Sequence, residues 1–196
     1  MKFIPNALPL ESYDFKERKL DSIRILWVRS FSKIYNPLLA LKVLKRLQLE
    51  GFKVSLCMVG PDSDGTMDHA KAMARELEVK VEFTGRLSKI EWHNLSKEYN
   101  VFINTTHLDN MPVSVIEAMA MGLPIVSTNV GGMPYLIEHE KEGLLTSPND
   151  EFEMATAIKR LQKYPVFTKT MVFNARSKVE KYDWNLVKID WFQILS

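Results

Sequence analysis

Two carboxylates, Asp109 and Glu117, stand with seven residues between them in the stretch Asn100 to Gly132, NVFINTTHLDNMPVSVIEAMAMGLPIVSTNVGG, and their setting suits them to gripping a polar ligand. Val101 to Ile103 is a short, apolar, β-branched run that reads as a buried strand, and the helix signal follows only after the polar loop Asn104 to Asn110. Asp109 therefore falls at the strand's carboxyl end. Asn110 suits a helix cap, Pro112 a first helical position, and Gly122 followed by Pro124 a stop, which puts Glu117 inside the helix. Its neighbours Val115, Ile116, Ala118, Met119 and Ala120 are apolar, so a carboxylate among them is costly unless something hydrogen-bonds to it, as a polyol such as a ribose would. The amides at the helix start, Met111 to Ser114, together with the helix dipole make a site for an anion between the two acids. Sugar, phosphate and ribose in sequence would fit. The plainer alternative is that Asp109 caps the helix and Glu117 meets solvent or a buried arginine.

Such a site needs elements to position it. Ile23 to Val28 reads as a strand ending at Arg29, and Asn36-Pro37 opens a helix that closes at Gly51, with Leu38, Leu41, Leu44 and Leu47 at helical spacing. Phe52 to Val59 is the next strand, ending at Gly60, followed by the turn Pro61-Asp62-Ser63-Asp64-Gly65 and a helix from Thr66 to Glu78. The Asp-Ser-Asp triplet looks like a metal-binding carboxylate pair, but a Pro-Asp-x-Asp-Gly turn ahead of a helix explains it without a metal. Val79 to Phe83 is a third strand, leading through Thr84-Gly85-Arg86-Leu87 into a helix over Ser88 to Tyr99. Beyond Gly131-Gly132 come a short helix near Tyr135 to Glu140, a strand at Gly143 to Leu145, a helix from Asn149 to Lys163 and a helical end anchored by Trp184 and Trp191. This alternation predicts an α/β fold with a doubly wound, parallel, Rossmann-like sheet. Ligands in such sheets bind outside the strands' carboxyl ends, where Arg29, Gly60, Gly85 and Asp109 would converge on one crevice.

The text DNMPVSVIEAMAMGLPIVSTNVGG resembles that of glycosyltransferase family 4, the glycosyltransferases of group 1, retaining enzymes with the two-domain GT-B fold. Family members carry a Glu, seven residues, then Glu followed by Ala-Met-Ala-x-Gly-x-Pro-x-Val and a Gly-Gly turn; here Asp109 replaces the first Glu. The resemblance implies that Asp109 and the backbone at Asn110, Met111, Pro112, Val113 and Ser114 hold the donor sugar, and that Glu117 takes the ribose hydroxyls. Asp109 is a methylene shorter than Glu, which bears on which sugar is taken. The family also places an Arg at the first strand end and a Lys five residues later, both neutralising the donor diphosphate. Arg29 fits, whereas the nearest lysine is Lys33 and Tyr35 stands near the family lysine's place. The family's Gly-x-apolar turn meets the base, which implies main-chain contacts from Leu87, with Arg86 beside them; Gly60 joins the donor-binding set.

The resemblance runs from Ile4 to about Leu195 and implies the carboxyl-terminal half of a GT-B enzyme. Phe3-Ile4-Pro5-Asn6 resembles the family's interdomain linker, so residues 1–20 are expected to be a linker remnant, with Met1 replacing what preceded it, and residues 21–196 a nucleotide-sugar-binding domain with carboxyl-terminal helices. The missing amino-terminal domain would hold the acceptor pocket and a catalytic His. None of His69, His93, His107 or His139 is assigned that role, His107 being the one expected nearest the site.

The implied activity is transfer of a hexose-type sugar, with retention, from a nucleotide-diphosphate donor, a UDP-sugar being favoured, to a glycan, lipid or cell-surface polysaccharide precursor. No cofactor or metal is expected, since Arg29, Lys33 and the helix dipole would stabilise the leaving diphosphate in a cation's place. A non-catalytic nucleotide- or glycan-binding module is the alternative from another class. A nucleotide-sugar epimerase of the same fold ranks behind both, as it would be expected to lack the Glu-Ala-Met-Ala block. Composition agrees with one globular domain: 196 residues, 46% of them hydrophobic, can bury a sizeable core. A net charge of +2, dispersed along the chain, argues against nucleic acid. No run reads as a membrane span or signal peptide, the apolar start being broken by Pro5, Asn6 and Pro9. The single Cys57 allows no disulfide within the chain, and a reducing cytoplasm is expected, with peripheral contact at its membrane face through the missing half.

Overall fold

Short apolar runs rich in Val, Ile and Leu become strands, and the amphipathic segments between them become crossover helices. The computed structural model describes residues 4–195; Met1 and Phe3, part of the expected linker, lie outside them. The strands are β1 (Ile23–Val28), β2 (Val54–Val59), β3 (Val81–Gly85), β4 (Val101–Asn104), β5 (Ile125–Thr128) and β6 (Leu144–Thr146). They form one sheet in the order β3-β2-β1-β4-β5-β6, with every pair parallel. The helices are α1 (Pro37–Leu49), α2 (Thr66–Glu76), α3 (Lys89–Ser96), α4 (Val113–Ala120), α5 (Met133–Leu136), α6 (Glu151–Lys163), α7 (Pro165–Glu180) and α8 (Trp184–Leu195). Successive strand residues point to opposite faces. Ile23, Ile25 and Trp27 of β1 enter a core with residues of α1, α2 and α6, while Leu26 enters a second core with α4 and α7. This is the doubly wound fold expected, and its order reverses between β1 and β4, the place where such sheets bind ligands.

Several boundaries move. The third strand starts at Val81, because Glu78, at a φ of 52°, and a bond from Val79 N to Ala74 O prolong the end of α2. The short helix lies over Met133–Leu136, ahead of the expected Tyr135 to Glu140, since Gly132 is its N-cap and accepts from Tyr135 N. The indoles of Trp184 and Trp191 are 49% and 44% exposed, so they do not anchor α8; Val187, at 3%, is its buried contact.

The segment before β1 makes one short 3-10 turn, Leu10–Ser12, and is tied to the domain. Leu8 N donates to Tyr182 O and Leu8 O accepts from Trp184 N. Arg18 spreads its guanidinium over the ends of two helices, donating to Ser96 O at 2.9 Å and Tyr99 O at 3.2 Å beyond α3, and to Met121 O at 3.1 Å beyond α4. A cation suits these carbonyls, which point along the negative ends of both helices. Burial lowers its pKa to about 10. Arg18→Ala strands three acceptors at once, and with water reaching part of the gap the expected cost is about 2 kcal/mol, read as a lower urea midpoint at unchanged slope.

Candidate functional site

The crevice is assembled from the loops that leave β1 and β4. The first runs from Arg29 through a 3-10 turn at Lys33–Tyr35, and the second from Thr105 to the start of α4. Buried hydroxyls stitch them together. Thr105 Oγ1 accepts from Trp27 Nε1 at 2.9 Å and donates to Tyr35 O at 2.8 Å. Thr106 Oγ1 has Leu108 O at 2.9 Å and Ile34 O at 3.2 Å as acceptors, Thr128 Oγ1 donates to Thr106 O, and His107 N donates to Ile34 O. Side chains on the two loops therefore meet on a fixed frame.

Two of the expected site residues meet each other. Arg29 Nη2 forms an ion pair with Asp109 Oδ2, and the guanidinium carbon lies 4.0 Å from the centroid of the Tyr35 ring. Tyr35 thus supplies a π face to the cation. Arg29 Nε is buried with no partner among the described residues, so one donor of the fork is unused. Lys33 is exposed on the 3-10 turn, with its backbone amide bonded to Asp64. The aspartates of the Asp-Ser-Asp triplet are occupied as turn formers: Asp62 Oδ1 accepts from Gly65 N, and Asp64 accepts from the Thr66 hydroxyl, the Lys33 amide and the Ser32 hydroxyl. Those bonds, the Thr66 hydroxyl foremost, hold the Asp64 carboxyl down at about 2.

Beside this pair opens a cleft of about 200 Å³ whose walls include Arg29, Gly60, Arg86, Leu87, Lys89 and Glu117. Gly60 N donates to Gly85 O at 2.8 Å, and a Cβ on Gly60 would lie 1.8 Å from Arg29 O, so only glycine lets these three strand ends close up. Arg86 is exposed at the rim, and Leu87 packs inward against the core. Glu117 is 3% exposed, and its Oε1 accepts from the Tyr13 hydroxyl at 2.8 Å and lies 3.1 Å from Lys89 Nζ. Burial, and then the bond to Glu117, push the Tyr13 phenol above its usual pKa. His93, rather than His107, is the histidine near the second acid: its Nε2 is 4.0 Å from Oε1 and its ring 4.6 Å from that of Tyr13, while His107 is exposed. Burial lowers the His93 pKa, which favours the neutral imidazole.

The start of α4, expected to receive an anion, has a different cap. Pro112 is the N-cap and Val113 the first helical residue, so Asn110 does not cap and no side chain does. The preceding loop is held instead from the side, where Gly132 N donates to Asp109 O at 2.7 Å and Gly132 sits against Asn110 O. The amides of Val113 and Ser114 have no acceptor within the helix, and Ser114 Oγ is buried without a partner among the described residues. Asn110 and Met111 also border a second cavity of about 620 Å³, shared with Gly131, Gly132 and Tyr135. Asn6 Nδ2 donates to Met111 O at 2.8 Å.

Tyr13, Lys89 and His93 were not legible as neighbours of the second acid. The only local sign is at Ser88 and Glu91, a capping box that fixes the start of α3 and with it Lys89 and His93. The assembled groups form an oxygen acceptor at the floor, guanidinium donors at the wall and free helical amides beyond. They are suited to a ligand carrying hydroxyls at one end and anionic charge in the middle.

Residues 11–178 match the family model described as glycosyl transferases group 1. The sulfoquinovosyl transferase SQD2 of Arabidopsis thaliana is 31% identical over 105 residues, which take in 52% of this chain and 21% of the plant protein. Sucrose-phosphate synthase from Thermosynechococcus elongatus superposes with a TM-score of 0.88 at 22% identity, over 99% of this chain and 51% of its own. HepE from Anabaena in complex with UDP gives 0.87 at 20% identity, over 99% of this chain and 57% of its own. The chain therefore spans about half the length of these structures and a fifth of the plant relative's.

Proposed function

From its membership of the glycosyl transferases group 1 family, to which the chain belongs, we propose that it is the donor-binding half of a retaining glycosyltransferase. The observation that carries this is convergence: Arg29, Gly60, Arg86, Leu87 and Glu117, from four separate segments, line one cleft at the sheet's switch point, with Asp109 paired to Arg29 beside it. In this reading Glu117 Oε2 takes the ribose hydroxyls, Leu87 and Arg86 flank the base, and the diphosphate lies between the Arg29 fork and the amides of Val113 and Ser114. Asp109 and the backbone at Asn110, Met111 and Pro112 receive the sugar. A uridine donor is favoured, supported by HepE structures holding UDP and UDP-glucose. Charge on the leaving diphosphate is met by Arg29, Lys33 and the helix amides, without a metal or cofactor. The acceptor, a glycan, lipid or polysaccharide precursor, would be held by an amino-terminal domain, with residues 1–20 as the linker and the whole enzyme working at the cytoplasmic face of a membrane.

A second reading, a nucleotide-binding module without turnover, is favoured by the Arg29, Asp109 and Tyr35 cluster, in which the sugar acid and the phosphate cation occupy each other. Calorimetric titration with UDP, GDP, ADP and their glucose conjugates separates donor site from no site. One base is expected to bind, and Glu117→Ala to weaken it about 10-fold or more through loss of hydrogen bonds to a charged acceptor; equal binding of all three bases, unaffected by Glu117→Ala, would sink the proposal. Turnover after joining the chain to its natural amino-terminal half distinguishes enzyme from module.

A further inference from the structure

We propose that Tyr13 is a positioning residue for the nucleotide ribose, acting through Glu117, an inference that rests on the donor-site reading above. Tyr13 lies in the segment before β1, far in sequence from α4, yet its ring is 3% exposed and its hydroxyl donates to Glu117 Oε1 at 2.8 Å. The segment cannot drift. Leu8 is bonded on both sides to Tyr182 and Trp184, Arg18 clamps the ends of α3 and α4, and Arg176 Nη1 donates to Tyr13 O at 3.2 Å and to Ala120 O at 2.7 Å. The phenol is thus fixed relative to the end of the same helix that carries Glu117.

The contacts are one-sided. Tyr13 Oη, Lys89 Nζ and His93 Nε2 all approach Oε1, at 2.8, 3.1 and 4.0 Å, and Glu117 itself lines the cleft. Among the described residues none is bonded to Oε2, which is left as the acceptor for a ligand. A glutamate on a helix ordinarily keeps freedom about its last torsion, and a ligand that hydrogen-bonds to it must freeze that motion. With Oε1 already held, the carboxylate plane is set before the nucleotide arrives. Two vicinal hydroxyls then meet an acceptor aimed at one place, which is a means of telling a ribonucleotide from a deoxynucleotide. Tyr13 suits the task better than Lys89 does. Its phenol is buried and stays protonated, because burial and the bond to Glu117 raise its pKa, whereas the Lys89 side chain is 66% exposed.

The test is titration of the chain with UDP, 2′-deoxy-UDP and 3′-deoxy-UDP, for the wild type, Tyr13→Phe and Glu117→Ala, with melting temperatures measured in parallel. The wild type is expected to prefer UDP over at least one deoxy analogue by about 10-fold, the scale set by unpairing a buried charged acceptor. Tyr13→Phe keeps the buried ring, and is expected to shrink that preference about 3- to 10-fold while leaving affinity for the disfavoured analogue unchanged. A structural role alone would weaken all three nucleotides together, or lower the melting temperature with the preference intact, and either result overturns the inference. Glu117→Ala separates the layers. If it retains the ribose preference, or if the wild type binds no UDP, the donor-site reading itself has failed; if it loses the preference while Tyr13→Phe keeps it, only the positioning role has failed.

Discussion

Gly132→Ala is expected to unseat the loop that carries Asp109 and to cut sugar transfer by about 100-fold. Gly132 has a φ of −85° and a ψ of −1°, which any residue adopts, so the backbone conformation is no obstacle. The obstacle is space. A Cβ there would lie 1.9 Å from Asn110 O and 2.7 Å from its carbonyl carbon, against backbone that is itself held by the bond from Gly132 N to Asp109 O. Neither strand of this contact is a flexible side chain that could swing aside, so the loop must retreat by more than about 1 Å to reach ordinary contact distance. Overpacking of this kind costs about 3 kcal/mol in stability, and a 1 Å displacement of reacting groups about 100-fold in rate. The melting temperature should fall by several degrees, and transfer by the enzyme joined to its amino-terminal half should fall well beyond what that loss of stability explains. Full activity in a variant that folds would show that the Gly-Gly turn packs against the loop without positioning it.

Where local pattern decides structure, the sequence was a good guide. The strands of the sheet are short apolar runs whose residues alternate between two cores, and the crossover helices carry their apolar residues at helical spacing, so the parallel, doubly wound class followed from the alternation, while the order of the strands and the strand Ile125–Thr128 were seen only in the structure. The convergence of Arg29, Gly60 and Asp109 at the strand ends followed from that topology. What could not be read was set by contacts across many residues. Nothing near Tyr13 announces that its hydroxyl will meet Glu117, and nothing near Arg29 announces that its first partner will be Asp109 rather than a phosphate. The cap of α4 was misplaced because Asn110 looks like a capping residue, while the turn at Gly131-Gly132 holds the loop from the side and lets Pro112 take the cap position. Trp184 and Trp191 were misjudged for a related reason: an indole in a helix speaks for burial, but not for the surface that provides it.

Asp109→Asn is expected to move nucleotide affinity and sugar transfer in opposite directions. In the structure Arg29 spends one arm of its fork on Asp109 and lies against the Tyr35 ring, with both ionised side chains largely out of solvent. In the proposed donor site, a diphosphate arriving at Arg29 would have to loosen a pair that already satisfies it, and the energy of that pair would be subtracted from the affinity for the nucleotide. Asparagine keeps the shape of the side chain and removes its charge, so the stack on Tyr35 remains while the competitor is gone. Affinity for UDP should rise about 3- to 10-fold, the range for a partly buried ion pair screened by nearby water, and the gain should shrink as salt is added. Transfer should behave otherwise. If Asp109 orients the sugar in the transition state, its charge is needed there, and loss of one such electrostatic contact lowers kcat by about 100- to 1,000-fold. Arg29→Ala supplies the contrast, since it removes the proposed phosphate ligand and strands Asp109 without its ion-pair partner, so UDP affinity and transfer should fall together. A fall in UDP affinity for Asp109→Asn would mean that the ion pair organises the phosphate site instead of competing for it, and the order of events at the crevice would have to be reversed.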